Sequence, residues 1–291
     1  MTHQLIQNTQ SKDNNSDRKE YNILNFSIRI LLLGLILSGL GIINYIGFSL
    51  NSTSLTGIVP HTLISIGMAA VISILIRKSQ MNGVSLVGSI AMFYYVLVSF
   101  LTALETMIFV PSISQSVIIG LFINGAITAL IFSIVAVYVH GKLHGDRSFS
   151  LMRNLGKTSY RQWIWKLIAI GVIYVFVYIA SGALIFLPIA GDAVNQVYSD
   201  MQMPEWILQF QFFRGILWAV VTIPIIRSLQ GSKRENYLII GLTFVFLVAT
   251  LVLLPGGISV LQVQIAHFME LAIGHCLIFG MIMSKLFRSP D

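Results

Sequence analysis

Four ionisable residues interrupt otherwise apolar stretches of this chain, and they are the residues best placed to do chemistry. They are Glu105, Arg214, His267 and Glu270. A charge inside a membrane span is costly, so such residues are commonly paired, protonated or used to move protons and ions. Two carboxylates share one arginine in this set. One acid is therefore left to be protonated, to pair with His267, or to bind a cation or substrate.

His267 and Glu270 stand three residues apart, which places both side chains on one face of a helix. An imidazole and a carboxylate at this spacing can pass a proton or hold a divalent metal. The pair is therefore a possible metal site, with Glu105, His61 or water completing it, and no other cofactor is expected. In α-helical geometry His275 lies two turns, about 12 Å, beyond His267. We predict that His275 only packs between helices.

Two glutamines extend the polar faces of the same segments. Gln264 falls within an arc of about 120° with His267 and Glu270 at 100° per residue, and Gln211 lies one turn before Arg214. Polar faces on several spans indicate an internal lining. The predicted substrate or proton site comprises Glu105, Arg214, His267, Glu270, Gln211 and Gln264.

The composition shows what must position these residues. Only 10% of residues are charged and 56% are hydrophobic, which leaves a soluble domain of 291 residues too little polar surface. The apolar blocks can cross ~30 Å of hydrocarbon and show neither the alternation nor the turns of strands, which excludes a barrel. The predicted fold class is an all-α polytopic transmembrane helical bundle. Its eight spans are residues 28–50, 58–76, 85–110, 115–139, 166–190, 206–228, 236–255 and 259–284.

Lysines and arginines lie almost entirely on one side of this bundle. They occur in the N-terminal tail, in the connections after spans two, four and six, and after span eight, whereas the other connections contain none. This bias predicts that both termini are cytoplasmic and that the protein spans the cell membrane several times. It also places the four ionisable residues at similar depth in the outer half. The net charge of +7 is then a basic rim facing anionic lipid, so nucleic acid is not an expected partner.

The chain divides into four regions. Residues 1–24 form a predicted disordered tail, 25–140 the first four spans, 141–163 a basic connection and 164–291 the last four spans. The halves start in the same orientation, which is compatible with a parallel duplication. Glu105 in span three has no acidic counterpart in span seven, and the halves cannot be matched residue by residue. The oligomeric state stays open.

Three classes of function fit this pattern. The favoured one is a proton-linked transporter of a small solute or ion, because a desolvated arginine such as Arg214 commonly binds an anion. An alternative is a membrane-embedded enzyme, metal-assisted in one version, that acts on a lipid-like substrate. The chain has no nucleotide-binding loop, G-x-S-x-G elbow or H-E-x-x-H pair to support an enzyme. The third class is a structural or sensory membrane protein whose polar cluster orders the bundle.

Overall fold

The computed structural model describes residues 23–42, 55–109, 113–144, 150–151, 155–156, 158–199, 204–254, 258 and 260–288. Eight helices in these ranges are long and apolar enough to cross a membrane, and the same ranges contain no strand. The predicted all-α, multi-pass membrane bundle is confirmed. The helices are α1 (Ile23–Ile42), α2 (Gly57–Lys78), α3 (Gly83–Phe109), α4 (Gln115–Val139), α5 (Tyr160–Tyr198), α6 (Ile207–Ser228), α7 (Lys233–Leu253) and α8 (Leu261–Phe287).

Some helix boundaries differ from the predicted ones. Helix α5 starts at Tyr160 rather than near residue 166, because the hydroxyl of Ser159 caps its first turn by accepting from the backbone N–H of Gln162. The cap lets the helix begin among polar residues, which the prediction from apolar content places in the connection between α4 and α5. Most of the predicted tail (1–22), the end of span one (43–50) and part of the basic connection (145–149, 152–154, 157) lie outside the described residues.

Helix α5 folds back on itself near Gly191. The backbone of Gly191 has φ of 51°, a left-handed conformation that favours glycine. The rings of Phe186 and Tyr198 are 6.2 Å apart, although twelve residues of straight helix would separate them by about 18 Å. The segment after Gly191 therefore returns over the preceding turn of α5.

Close helix contacts depend on small residues. A Cβ atom on Gly215 would lie 2.5 Å from Cβ of Tyr174, and one on Gly274 would lie 2.5 Å from Cβ of Ser181. Glycine at these two positions lets the backbones of α6 and α8 approach α5. Helix α5 therefore packs directly against both helices that carry Arg214, His267 and Glu270.

The two halves of the bundle meet in a symmetrical pair of hydrogen bonds. Ser79 and Leu229 form an isolated antiparallel bridge between the connections that follow α2 and α6. Beside it, Gln80 N–H donates to the carbonyl of Ser228 at 2.8 Å, and Gln230 N–H donates to the carbonyl of Lys78 at 2.9 Å. Each partner in one bond has its counterpart 150 positions away in the other. The connections are thus related by a local two-fold axis.

Aromatic contacts at this end of the bundle repeat the relationship. In the first half, Cζ of Arg77 lies 5.0 Å from the ring centroid of Phe26, and the Phe26 ring lies 5.8 Å from that of His140. These residues stand at the corresponding ends of α2, α1 and α4. We call this end of the bundle, where Lys78, Arg77 and Lys142 lie, the basic end.

The second half contains the same arrangement. Cζ of Arg227 lies 5.1 Å from the ring centroid of Trp163, which stacks at 6.0 Å on Phe287. Helix α6 thus corresponds to α2, α5 to α1 and α8 to α4. The halves can therefore be matched after all, at the basic end rather than through the ionisable residues in the spans. Across the interface between halves, α3 packs on α6 and α2 packs on α7.

The match between His140 and Phe287 gives a pH-dependent prediction. Burial, together with the positive charges of Arg29, Arg77 and Lys142, lowers the pKa of His140 from 6.5 to about 4. Between these values the unfolded chain binds a proton that the folded protein does not, so this histidine makes stability fall as pH drops from about 6.5 towards about 4. His140→Phe should remove that part of the acid destabilisation. Thermal unfolding of detergent-solubilised protein at about pH 7 and about pH 5 measures it. An equal acid-induced loss of Tm in both proteins would contradict the assignment.

Candidate functional site

Glu105 and Arg214 form an ion pair between the two halves of the bundle. Nη1 of Arg214 on α6 donates to Oε1 of Glu105 on α3. The arginine side chain is buried, whereas that of Glu105 is 29% exposed. Because α3 belongs to the first half and α6 to the second, this pair connects the halves away from the basic end.

Aromatic rings hold the guanidinium in place. Cζ of Arg214 lies 4.6 Å from the ring centroid of Trp218, one turn further along α6, and 6.0 Å from that of Tyr174 on α5. A ring face attracts a desolvated cation, so these contacts compensate part of the cost of burying the charge. Arg214 is thus enclosed by side chains from three helices.

Glu270 is the second buried acid, and histidines flank its carboxylate. Oε2 lies 3.0 Å from Nδ1 of His267, while Oε1 lies 3.8 Å from Nε2 of His275. The first distance is a hydrogen bond, whereas the second is too long for one. His267 is 35% exposed, whereas Glu270 and His275 are buried. Glu270 therefore stands between one accessible and one enclosed imidazole.

A π-helical segment brings His275 to Glu270. Residues Leu271–Ile278 of α8 form this segment, and Glu270 directly precedes it. In an α-helix, residues five apart point about 140° away from each other, whereas π-helical i to i+5 bonding places them nearly above one another. His275 packs against the rings of Tyr174 and Tyr178 at 5.5 and 5.6 Å. The predicted packing role is therefore confirmed, while the 3.8 Å approach of its Nε2 to Glu270 is a contact that α-helical geometry does not predict.

The folded-back part of α5 covers His267. The rings of Phe186 and His267 make an edge contact at 5.5 Å, and the ring of Tyr198 packs on that of Phe186. Phe186 itself ends a second π-helical segment, Gly182–Phe186. Segments of this kind are rare and often occur at functional sites. The cluster around Glu270 thus lies beneath aromatic residues at the end opposite the basic one.

The two glutamines of the predicted site take different positions. Gln211 is buried on α6, one turn from Arg214, and its Oε1 has no hydrogen-bond partner among the described residues. Gln264 instead donates from Nε2 to the carbonyl of Val252 at 2.8 Å, and so ties α8 to the end of α7. Gln211 is therefore next to the ion pair, whereas the Gln264 amide is engaged with backbone.

Tyr174 links the ion pair to the acid–histidine cluster. Its ring contacts Trp218 at 5.1 Å on one side and His275 at 5.5 Å on the other. In the sequence, Tyr174 shares a face of span five with Gly171, Tyr178 and Ser181, which indicates a lining face but does not show what Tyr174 contacts. Glu105, Arg214 and Gln211 lie at the Trp218 end of this chain of contacts, and His267 and Glu270 lie at the His275 end. Of the six predicted site residues, only Gln264 lies apart from it.

A metal site at His267 and Glu270 stays a prediction. Among the described residues, no group of three or more His, Cys, Asp or Glu side chains is arranged to hold a metal ion. His61, a predicted third ligand, packs against α1, where a Cβ on Gly41 would lie 2.3 Å from its Nε2. The pair alone supplies one nitrogen and one carboxylate.

The arrangement is suited to proton exchange. A carboxyl group and an imidazole in hydrogen-bond contact can pass a proton between them, and 35% of the His267 side-chain surface is not covered by other residues of the chain. This chain matches no family model, no curated protein and no solved structure. The geometry of the site carries the functional argument.

The ion pair predicts a specific rescue of stability. Arg214→Gln should leave Glu105 unpaired and destabilise the protein, by less than the ~3–5 kcal/mol typical of fully buried pairs because Glu105 is 29% exposed. Adding Glu105→Gln should restore much of the loss, whereas adding Glu270→Gln should give an additive effect. Denaturant or thermal unfolding of the two double-mutant cycles measures this. Rescue by Glu270→Gln and not by Glu105→Gln would show that the pairing is wrong.

Proposed function

We propose that this protein is a proton-linked transporter of a small solute or ion, located in the cell membrane with both termini on the cytoplasmic side. The observation that carries the proposal is the surplus acid. Arg214 is engaged by Glu105, so Glu270 is left with two histidines and without a fixed cation. A buried acid of this kind in a membrane span is typical of proton relays.

The order of the three groups along α8 supports a directional relay. His267 lies nearest the end opposite the basic end and is partly exposed, Glu270 follows one turn later, and His275 lies further towards the basic end. A proton taken up at His267 reaches Glu270 through their 3.0 Å contact. Transfer on to His275 requires a small approach, since the 3.8 Å separation exceeds a hydrogen bond.

The two-fold relationship between halves supports a transport cycle. Many transporters consist of repeats that rock against each other around a central site. Here the halves are joined by backbone bonds at the basic end and by the Glu105–Arg214 pair away from it. Opening that pair while the backbone bonds persist would expose the site on one side. In this proposal the Glu105–Arg214 pair closes the site on the side opposite the basic end.

A purely structural role for the cluster predicts a different behaviour. The Glu105–Arg214 pair would then fix the packing of α3 on α6, and Glu270 would stabilise α8 through His267. Substitution of Glu270 would lower stability and would not change any movement of protons. Proton flux therefore separates the two roles.

The test uses protein reconstituted into liposomes that contain a pH-sensitive dye. External lactate, alanine, acetate, chloride, sodium and potassium are added in turn, and at least one should change internal pH faster than in protein-free liposomes. Glu270→Gln should reduce this response at least tenfold, because the relay loses its central acid. The matched control is Glu235→Gln, which removes an exposed carboxylate that pairs with Lys78 at the basic end.

The outcomes decide the proposal. Retained flux in Glu235→Gln with lost flux in folded Glu270→Gln supports proton-linked transport. Absence of any solute-driven pH change with wild-type protein, or full flux in Glu270→Gln, contradicts it.

A further inference from the structure

Six buried polar atoms near the ion pair have no hydrogen-bond partner among the described residues. They belong to side chains that are almost completely enclosed, and an unsatisfied buried polar atom is costly and rare in native proteins. Such a group of atoms calls for a partner outside the chain. The atoms are Arg214 Nε, Trp218 Nε1, Tyr174 Oη, Gln211 Oε1 and both ring nitrogens of His275.

These atoms come from one connected set of side chains. Arg214 lies over Trp218, the Trp218 ring contacts Tyr174, and Tyr174 contacts His275. Gln211 precedes Arg214 by three residues and shares its face of α6. The set thus joins α5, α6 and α8 in one contiguous group of side chains inside the second half, and its rings also pack against Phe244 and Phe279.

Several other buried hydroxyls of the same bundle bond to the chain itself, whereas those of Ser73, Ser133 and Ser284, like that of Tyr174, have no partner among the described residues. Thr222, one turn beyond Trp218, donates to the Trp218 carbonyl at 2.6 Å, and Ser181 on α5 donates to the carbonyl of Val177 at 2.6 Å. The Tyr94 hydroxyl, buried in α3, contacts the Sδ atom of Met68 at 3.9 Å. The hydroxyl of Tyr174 differs from these in having no acceptor within the described residues.

The chemistry of the unsatisfied atoms defines a ligand. Arg214 Nε, Trp218 Nε1 and Tyr174 Oη are donors, and the guanidinium adds a positive charge. Donors around a guanidinium suit a planar carboxylate. Gln211 Oε1, by contrast, is an acceptor, as is one nitrogen of neutral His275. An anion without a donor of its own, such as chloride, leaves these acceptors unsatisfied.

We propose that this region binds a small carboxylate that carries a hydroxyl or ammonium group beside its carboxyl group. The inference rests on the proposed transport function and names the class of its solute. The carboxylate takes the free donors of Arg214, Trp218 and Tyr174. The neighbouring hydroxyl or ammonium donates to Gln211.

Charge balance links this ligand to a proton. Arg214 is already neutralised by Glu105, so a second carboxylate brings an uncompensated negative charge into a buried site. The other titratable groups near the pair are Tyr174 and Tyr178 on α5, and Glu270, His275 and Cys276 on α8. The ligand uses the free donor of Arg214 while Glu105 stays paired with it, and in the proposed transport cycle the proton carried by Glu270 compensates the added charge. One proton then accompanies each carboxylate.

Equilibrium binding to the purified full-length protein in detergent tests the inference. Lactate, alanine and propionate have the same three-carbon carboxylate, and propionate lacks the additional donor. Lactate or alanine should bind at least tenfold more tightly than propionate, and chloride should not compete. Calorimetry and ligand-induced shifts in Tm provide the two readouts.

Tyr174→Phe is the decisive variant because it removes one hydroxyl and leaves every charge in place. Binding should weaken at least tenfold, while the Tm of the ligand-free protein should stay equal or rise, since an unsatisfied buried hydroxyl is removed. The matched control is Tyr94→Phe, which removes a buried hydroxyl from α3 and should leave binding unchanged. A merely structural Tyr174 would instead show a lower Tm and unchanged affinity.

The results separate this inference from the transport proposal. Failure of all three carboxylates to bind wild-type protein, or wild-type affinity in Tyr174→Phe, overturns the inference. Glu270-dependent proton flux with another solute would then leave the transport proposal standing. Tight binding of lactate or alanine without any proton movement in liposomes would retain the site and contradict transport.

Discussion

The pairing of Arg214 with Glu105 determines which buried acid of this bundle is left to the histidines. It joins α3 of the first half to α6 of the second, and it assigns the arginine to one acid. Glu270 is thereby left with His267 and His275. Were the arginine on Glu270 instead, the histidines would face a neutralised pair and the surplus acid would lie on α3. This single pairing therefore separates the acid that joins the two halves from the acid on which the proposed proton relay depends.

The two-fold relationship holds at the basic end and breaks down towards the other end. Arg77 with Phe26 and Arg227 with Trp163 form equivalent contacts in the two halves. Helix α4, the counterpart of α8, contains no acidic or basic residue and no histidine within Gln115–Val139. The acid–histidine cluster therefore belongs to one half, and the other half contributes Glu105. A symmetrical scaffold carries an asymmetrical site.

Sequence predicts the helices well because long apolar blocks leave few alternatives in a membrane. It also identifies Glu105, Arg214, His267 and Glu270, since ionisable residues in such blocks stand out. It does not predict that His275 faces Glu270, because a π-helical turn changes which residues share a face. The sequence places Tyr174 on a polar face of span five, but its contacts with Trp218 and His275 arise only from tertiary packing. The sequence likewise does not show whether Arg214 pairs with Glu105 or with Glu270, because helix packing decides this.

The most direct test of the central claim is to observe which carboxyl group titrates. Infrared difference spectra between acidic and alkaline pH, recorded on the ligand-free protein in lipid, report the C=O band of a protonated carboxyl group. We expect a titrating band that is lost in Glu270→Gln and retained in Glu105→Gln, because Arg214 pairs with Glu105 and leaves Glu270 without a fixed cation. Loss of the band in Glu105→Gln with retention in Glu270→Gln would contradict the claim.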